Sequence, residues 1–283
     1  MHSLTRPEIT FDDCYNLCIS RKRPPLKENL ERIHPSLSSS ANLYDNKATN
    51  SGLNELSPIR ISDLTPITAE DLKKLYTQQM VGSNGPGRST YDKILVSAKQ
   101  KRCCFCSYEE PTELDHFLPK SVFAEFSILP LNLIPSCHRC NKLKLEDVPT
   151  SLETTYIHPY YEEYRGIAWL KASLNFDIGN SPTIIYFVDS ELNQSHPDLA
   201  PRINFQFTKL DLGSRYSQQS AGEVSGIRHR IQGLFSSGGV ESVRSHLKEE
   251  AKSREQNNKN SWQAALYHSL YQSNKFCTMD WVL

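Results

Sequence analysis

At 283 residues the chain is long enough for one large domain or two ordinary ones. Hydrophobic residues make up 38% and aromatics 10%, enough to bury a sizeable core and to exclude wholesale disorder. Lys plus Arg and Asp plus Glu both number 32, so the formal net charge is zero. A uniformly basic nucleic-acid coat is thereby excluded, and any such surface must be local.

The opening run, Met1-His2-Ser3-Leu4-Thr5-Arg6-Pro7, lacks the apolar core of a secretory signal. Thr10 and Asp13 can form a capping box ahead of Cys14, Leu17 and Cys18. The i,i+4 pair Cys14 and Cys18 reads as two small buried hydrophobes. Arg21-Lys22-Arg23, before Pro24-Pro25, reads as a solvated basic turn, with phosphate contact as the alternative. Residues 36–57 hold six Ser and four Asn in 22 positions without an apolar period, which predicts a loop or linker. Residues 1–60 are therefore expected to be a helical N-terminal arm and a Ser/Asn-rich linker.

A helix is predicted from Thr68, boxed by Asp71, through Leu72, Leu75, Tyr76 and Met80. Gly82, Gly85, Pro86 and Gly87 end it, and they lack the Lys-Ser/Thr signature of a phosphate loop. A second helix is expected over Tyr91 to Lys101. Between Arg88 and Arg102 five basic residues meet one acidic residue, Asp92, a local net charge of +4 directly before a run of cysteines. Residues 61–165 are read as one module with its preceding helices, and 166–283 as a mixed α/β domain of unassigned role. In that domain Ile184 to Val188 reads as a buried strand, far too short for the roughly 20 residues of a membrane helix. Ile203, Phe205 and Phe207 alternate with polar residues at strand period. Three helical stripes follow: Val224, Ile227, Ile231 and Leu234; Val240, Val243, Leu247 and Ala251; and Trp262, Leu266 and Leu270. The chain is read as soluble and cytoplasmic, with no membrane partner.

Of eight cysteines, Cys103, Cys104, Cys106, Cys137 and Cys140 fall within 38 positions, a clustering that points to metal rather than to a disulfide framework. Cys103-x-x-Cys106 and Cys137-x-x-Cys140 can present four thiolates to one tetrahedral ion, the description of a structural zinc site. Cys104, at the wrong offset, is left out as a packed residue. The 30 residues from Ser107 to Ser136 between the pairs exceed the roughly 15–20 of an ordinary zinc ribbon. They contain Glu113-Leu114-Asp115-His116-Phe117 and Leu131-Asn132-Leu133, and Asn141-Lys142-Leu143-Lys144 follows the second pair.

From Cys103 to Lys144, roughly 15% of the chain, this pattern resembles the HNH endonucleases, ββα-metal nucleases with a zinc-stapled module. The resemblance implies Asp115 as carboxylate ligand of a catalytic Mg²⁺ or Mn²⁺, His116 as general base and Asn132 as the residue holding the loop that aims His116. It implies Asn141 as the second protein ligand, where the family name leads one to expect histidine. A carboxylate and an amide oxygen make a hard-oxygen pair, which suits Mg²⁺ better than zinc. His138, between two knuckle cysteines, is expected to project outward. Lys120, Arg139, Lys142 and Lys144 are read either as phosphate contacts or as solvated cations. His158, beside Tyr160, Tyr161 and Tyr164, reads first as a packed residue, with a supporting role or a DNA contact as the alternative.

The expected fold is α+β: a central zinc-bound ββα-metal nuclease module, a helical N-terminal arm and a mixed C-terminal domain. The resemblance implies metal-dependent hydrolysis of double-stranded DNA, leaving 5′-phosphate and 3′-hydroxyl ends. The rival readings are a non-catalytic zinc-binding DNA adaptor and a scaffold subunit that recruits a partner. By analogy alone, such nucleases act as anti-phage or restriction effectors, sometimes with an ATPase or as homo-oligomers.

Overall fold

Thr10 opens helix α1 (Phe11–Ile19) by accepting the Asp13 amide on its side chain, and the helix buries Phe11, Cys14, Tyr15, Cys18 and Ile19. The computed structural model to which this helix belongs describes residues 2–164 and 166–281. Helix α2 (Leu26–Thr49) comes next and corrects the sequence reading, because most of the expected linker at 36–57 lies inside it. Its buried face is Leu30, Ile33, Leu37, Ala41, Tyr44 and Ala48, spaced by three and four residues. The serines occupy the outer faces, where Ser39 and Ser40 donate to the carbonyls of Pro35 and Ser36. Counting polar residues missed a stripe whose later members, Ala41, Tyr44 and Ala48, are weakly apolar. Packing of that stripe, rather than intrinsic propensity, stabilises the helix.

Helix α3 (Ala69–Lys74) starts with the full capping box of Thr68 and Asp71 and runs into a π-helical turn, Leu75–Met80. The turn buries Leu75, Tyr76 and Met80. At Gly85 the chain passes so close to the Gln79 carbonyl that a Cβ would overlap it. Helix α4 (Arg88–Val96) begins and ends earlier than expected; Lys99–Lys101 form a separate 3₁₀ turn in which Gln100 has φ 55°.

Strands β1 (Glu113–His116) and β2 (Leu133–Ser136) pair antiparallel, with Asp115 opposite Ile134 and His116 opposite Leu133. Helix α5 (His138–Lys144) follows at once, capped by Cys137, whose sulfur accepts the Cys140 amide at 3.4 Å. The hairpin is held from outside by two tyrosines. Tyr76 donates to the Leu114 carbonyl at 3.0 Å and Tyr160 to the Leu133 carbonyl at 2.8 Å.

The chain divides into two compact units, Met1–Glu163 and Tyr164–Leu283. The first holds α1 to α5 with β1 and β2, so the first 60 residues are part of the same body as the cysteine module and not a separate arm. In the second, strands β3 (Leu170–Phe176) and β4 (Pro182–Val188) form an antiparallel hairpin. Among the described residues five helices follow: α6 (Leu192–Ser195), α7 (Ala200–Lys209), α8 (Leu212–Asn257), α9 (Trp262–Gln272) and α10 (Asn274–Cys277). The strand expected around Ile203 is instead helix α7, which buries Ala200, Ile203 and Gln206 at three-residue spacing. Pro201 in its first turn fits a helix start, where no amide hydrogen is needed. The first two helical stripes belong to one element, α8, broken at Gly239 with φ 61° and ψ −158°, a conformation essentially restricted to glycine.

Both units mix helices with small two-stranded sheets, in keeping with an α+β chain. No helix among the described residues is long and apolar enough to cross a membrane.

Candidate functional site

The sulfurs of Cys103, Cys106, Cys137 and Cys140 lie within 4.8 Å of one another, and all four residues are buried. A tetrahedron of roughly 2.3 Å zinc–sulfur bonds has edges near 3.8 Å, and Cys106 and Cys137 approach to 3.9 Å. Hydrogen bonds from its three neighbours hold the Cys106 thiol well below its usual pKa, whereas those contacts push Cys140 up. Four such groups cannot all ionise without a cation between them, and their grouping is one that could hold a metal ion such as zinc. Cys104 stands apart, its sulfur donating to the Pro135 carbonyl at 3.5 Å. The first knuckle is folded by two backbone bonds, Cys103 N–H to the Glu109 carbonyl at 2.8 Å and Ser107 N–H to the Cys103 carbonyl at 2.7 Å.

Asp115 and His116 are neighbours on β1, so their side chains leave opposite faces of the strand. Both nevertheless border one open cleft of about 320 Å³, together with Asn141 from α5, Lys120, Ser121, His138 and Lys142. His116 is 5% exposed. Its Nε2–H donates to the Ser127 carbonyl at 2.8 Å, which leaves Nδ1 as the ring's acceptor. Burial first, and the Lys120 and Lys144 cations after it, press its pKa down to about 3, so the imidazole is neutral. The edge of the ring meets Tyr76 at 4.4 Å between centroids.

Asp115 is also buried, and burial pushes its carboxyl pKa up against the opposing pull of Lys144. Lys144 Nζ lies 3.3 Å from Asp115 Oδ2, an ion pair without hydrogen-bond alignment, so that oxygen has no hydrogen-bond donor. Lys144 is fully buried and instead donates to the His116 carbonyl at 2.8 Å. It is therefore neither a solvated cation nor a phosphate contact. Spacing on α5 held no sign of this, since three residues past Asn141 could face solvent or core equally well.

Asn132 is fully buried, and its side chain clamps a loop at both ends. Oδ1 accepts the Leu118 amide at 2.8 Å, and Nδ2 donates to the carbonyls of Leu118 at 3.0 Å and Phe126 at 3.2 Å. Those ends adjoin Phe117, the residue after His116, and Ser127, whose carbonyl holds the His116 ring. His138 sits at the cleft rim with its side chain 76% exposed, its Nδ1 3.1 Å from Glu113 Oε1. The ring reaches solvent as expected, yet it borders the cleft instead of leaving it. Lys120 and Lys142 border the cleft, whereas Arg139 does not.

His158 is packed away from solvent, stacked on Phe117 at 4.1 Å and 3.1 Å from the Tyr44 hydroxyl. A direct DNA contact by His158 is thereby excluded. Tyr44 and Ser127 were missed by sequence reasoning. The stripe on α2 carried the signal for Tyr44, whereas nothing local marked the Ser127 carbonyl.

Over 165 residues the chain is 33% identical to Protein ea31 of Escherichia phage lambda. The match covers 57% of this chain and 54% of that protein, so the chain spans about half the length of this curated relative. No protein-family model matches the chain. No solved structure matches it either.

Proposed function

We propose that this protein is an HNH-type, metal-dependent endonuclease that hydrolyses DNA phosphodiester bonds, its β1–β2–α5 unit serving as the ββα-metal module. The observation that carries the reading is the meeting of Asp115, His116 and Asn141 at one open cleft beside a four-cysteine cluster. A zinc site alone requires none of those three residues.

The donors fit two ions. Four clustered thiols fit zinc, which would tie Cys103–Cys106 at one end of the insert to Cys137–Cys140 at the other. Asp115 and Asn141 offer a carboxylate and an amide oxygen at one cleft, a hard-oxygen donor set of the kind that fits Mg²⁺ or Mn²⁺. Such an ion would supply charge neutralisation at the scissile phosphate and the leaving oxygen.

His116 takes a proton from the attacking water at Nδ1, its tautomer fixed by the Nε2–H bond to Ser127. Its burial keeps the ring neutral, with Nδ1 unprotonated. Lys120, Lys142 and His138 bring positive or polar groups to the cleft where a DNA backbone would pass. Asn132 keeps the loop carrying the Ser127 carbonyl in place.

One observation favours a second reading, a non-catalytic zinc-binding DNA adaptor: Lys144 already compensates the Asp115 charge from inside the protein. Incubation of the zinc-loaded protein with plasmid DNA and Mg²⁺ or Mn²⁺ separates the two. Nicking or linearisation that His116→Ala abolishes supports the nuclease. A folded, DNA-binding protein that never cuts, with either ion, supports the adaptor.

A further inference from the structure

Helix α2 and the segment around His158 meet behind Asn132, and their hydrogen bonds have only one consistent direction. The Leu118 N–H can only donate, so the Asn132 atom that accepts it at 2.8 Å is the oxygen. The Tyr44 hydroxyl donates to that same oxygen at 3.1 Å. With its single proton committed there, Tyr44 can only accept from His158 Nε2, 3.1 Å away. His158 Nδ1 in turn accepts the Tyr160 amide at 3.2 Å, which fixes the neutral Nε2–H tautomer. Tyr44, Asn132 and His158 are all buried, so none of these bonds has water as a ready substitute.

The same two residues also pack on the chain flanking the reacting histidine. His158 stacks on Phe117, the residue after His116, at 4.1 Å. Tyr44 meets Phe126, the residue before Ser127, edge-on at 5.0 Å. His116 and Ser127 are the two ends of the hydrogen bond that sets the His116 tautomer. Each member of the pair thus holds Asn132 through the relay and braces one end of that bond through a ring.

We infer that Tyr44 and His158 are positioning residues, a relay of hydrogen bonds from His158 through Tyr44 to Asn132 that sets the tautomer and aim of His116. The inference rests on the reading of His116 as general base. It also gives helix α2 a part in the chemistry, since the helix delivers Tyr44 to the relay.

Tyr44→Phe keeps the ring against Phe126 and removes only the hydroxyl. The Leu118 amide should then exchange about tenfold faster, the effect of weakening one buried hydrogen bond. The ¹⁵N signals of the His116 imidazole should shift away from a single Nε2–H form. With plasmid DNA and Mg²⁺, kcat should fall about 10–100-fold, as for other outer partners of reacting groups, with KM held within about twofold. His158→Gln places an amide nitrogen where Nε2 was, so although it gives up the stacking on Phe117 it should lose clearly less in all three readouts than His158→Asn. His158→Asn reaches only the Nδ1 position and should lose them as Tyr44→Phe does. Thermal unfolding of each variant allows rates to be compared per folded molecule. Wild-type Leu118 exchange and His116 signals in Tyr44→Phe would overturn the inference, as would equal losses in His158→Gln and His158→Asn. If the wild-type protein cuts no DNA, the nuclease reading fails, while Leu118 exchange and the His116 signals still decide whether the relay exists.

Discussion

Replacing Lys144 by methionine removes a buried ammonium while keeping an unbranched side chain of similar length. The wild-type Nζ donates to the His116 carbonyl at 2.8 Å and lies 3.3 Å from Asp115 Oδ2, with the two side chains 0% and 5% exposed. Methionine supplies neither a donor nor a charge. Breaking a buried ion pair from one side costs about 3–5 kcal/mol. The His116 carbonyl also loses its side-chain donor, a penalty of about 1–3 kcal/mol that overlaps with the first rather than adding to it. With a urea slope of about 1–3 kcal/mol per molar, a loss of about 3 kcal/mol moves the unfolding midpoint down by about 1–3 M. All three tryptophans, Trp169, Trp262 and Trp281, belong to the second unit. Unfolding of the first must therefore be followed by tyrosine near-ultraviolet dichroism or by release of the cluster metal. Mn²⁺ at about 100 times its dissociation constant should restore about 2.7 kcal/mol to Lys144→Met, and more than it adds to the wild type, where Lys144 already faces the carboxylate. A variant within about 0.5 kcal/mol of wild type, unaffected by Mn²⁺, would refute both the ion pair and the proposed placement of the cation.

The cysteine cluster should hold one zinc per chain, and Cys137→Ser should lose that metal and unfold the β1–β2–α5 region rather than merely slow a reaction, as metal analysis and circular dichroism would show. In one plasmid-nicking assay His116→Ala should lose about 10²–10⁴-fold in rate while retaining zinc and DNA affinity. His138→Ala, which removes a rim residue, should keep most of the rate; a dead His138→Ala beside an active His116→Ala would mean that the motif is misregistered. In the second unit Asn260 accepts the Trp169 and Leu170 amides at 2.8 and 3.2 Å and donates to the Ile167 carbonyl at 2.8 Å. Asn260→Ala should therefore destabilise that unit by about 3 kcal/mol, measured by tryptophan fluorescence in urea, without changing the zinc content.

What the sequence determined by itself is the chemistry at fixed spacing. Two CxxC pairs bring four sulfurs together because each knuckle is a local turn, and the cluster at Cys103, Cys106, Cys137 and Cys140 follows from those turns plus one closure. The adjacency of Asp115 and His116 on a strand, the box at Thr68 and Asp71, and the stripes of α8 and α9 are local in the same sense. Tertiary structure decided what depends on partners distant in the chain. Helix α2 reads as a polar linker until its stripe finds a core, and residues 203–208 alternate like a strand until burial of Ala200, Ile203 and Gln206 selects the helix. Lys144 reads as one more surface cation, yet it is desolvated against Asp115 and the His116 carbonyl, 29 and 28 residues earlier in the chain. The relay joins Tyr44, Asn132 and His158 across separations of 88 and 114 residues. A hydrogen bond or an ion pair leaves no periodic trace in sequence, because its strength comes from the burial and alignment that only the folded chain provides.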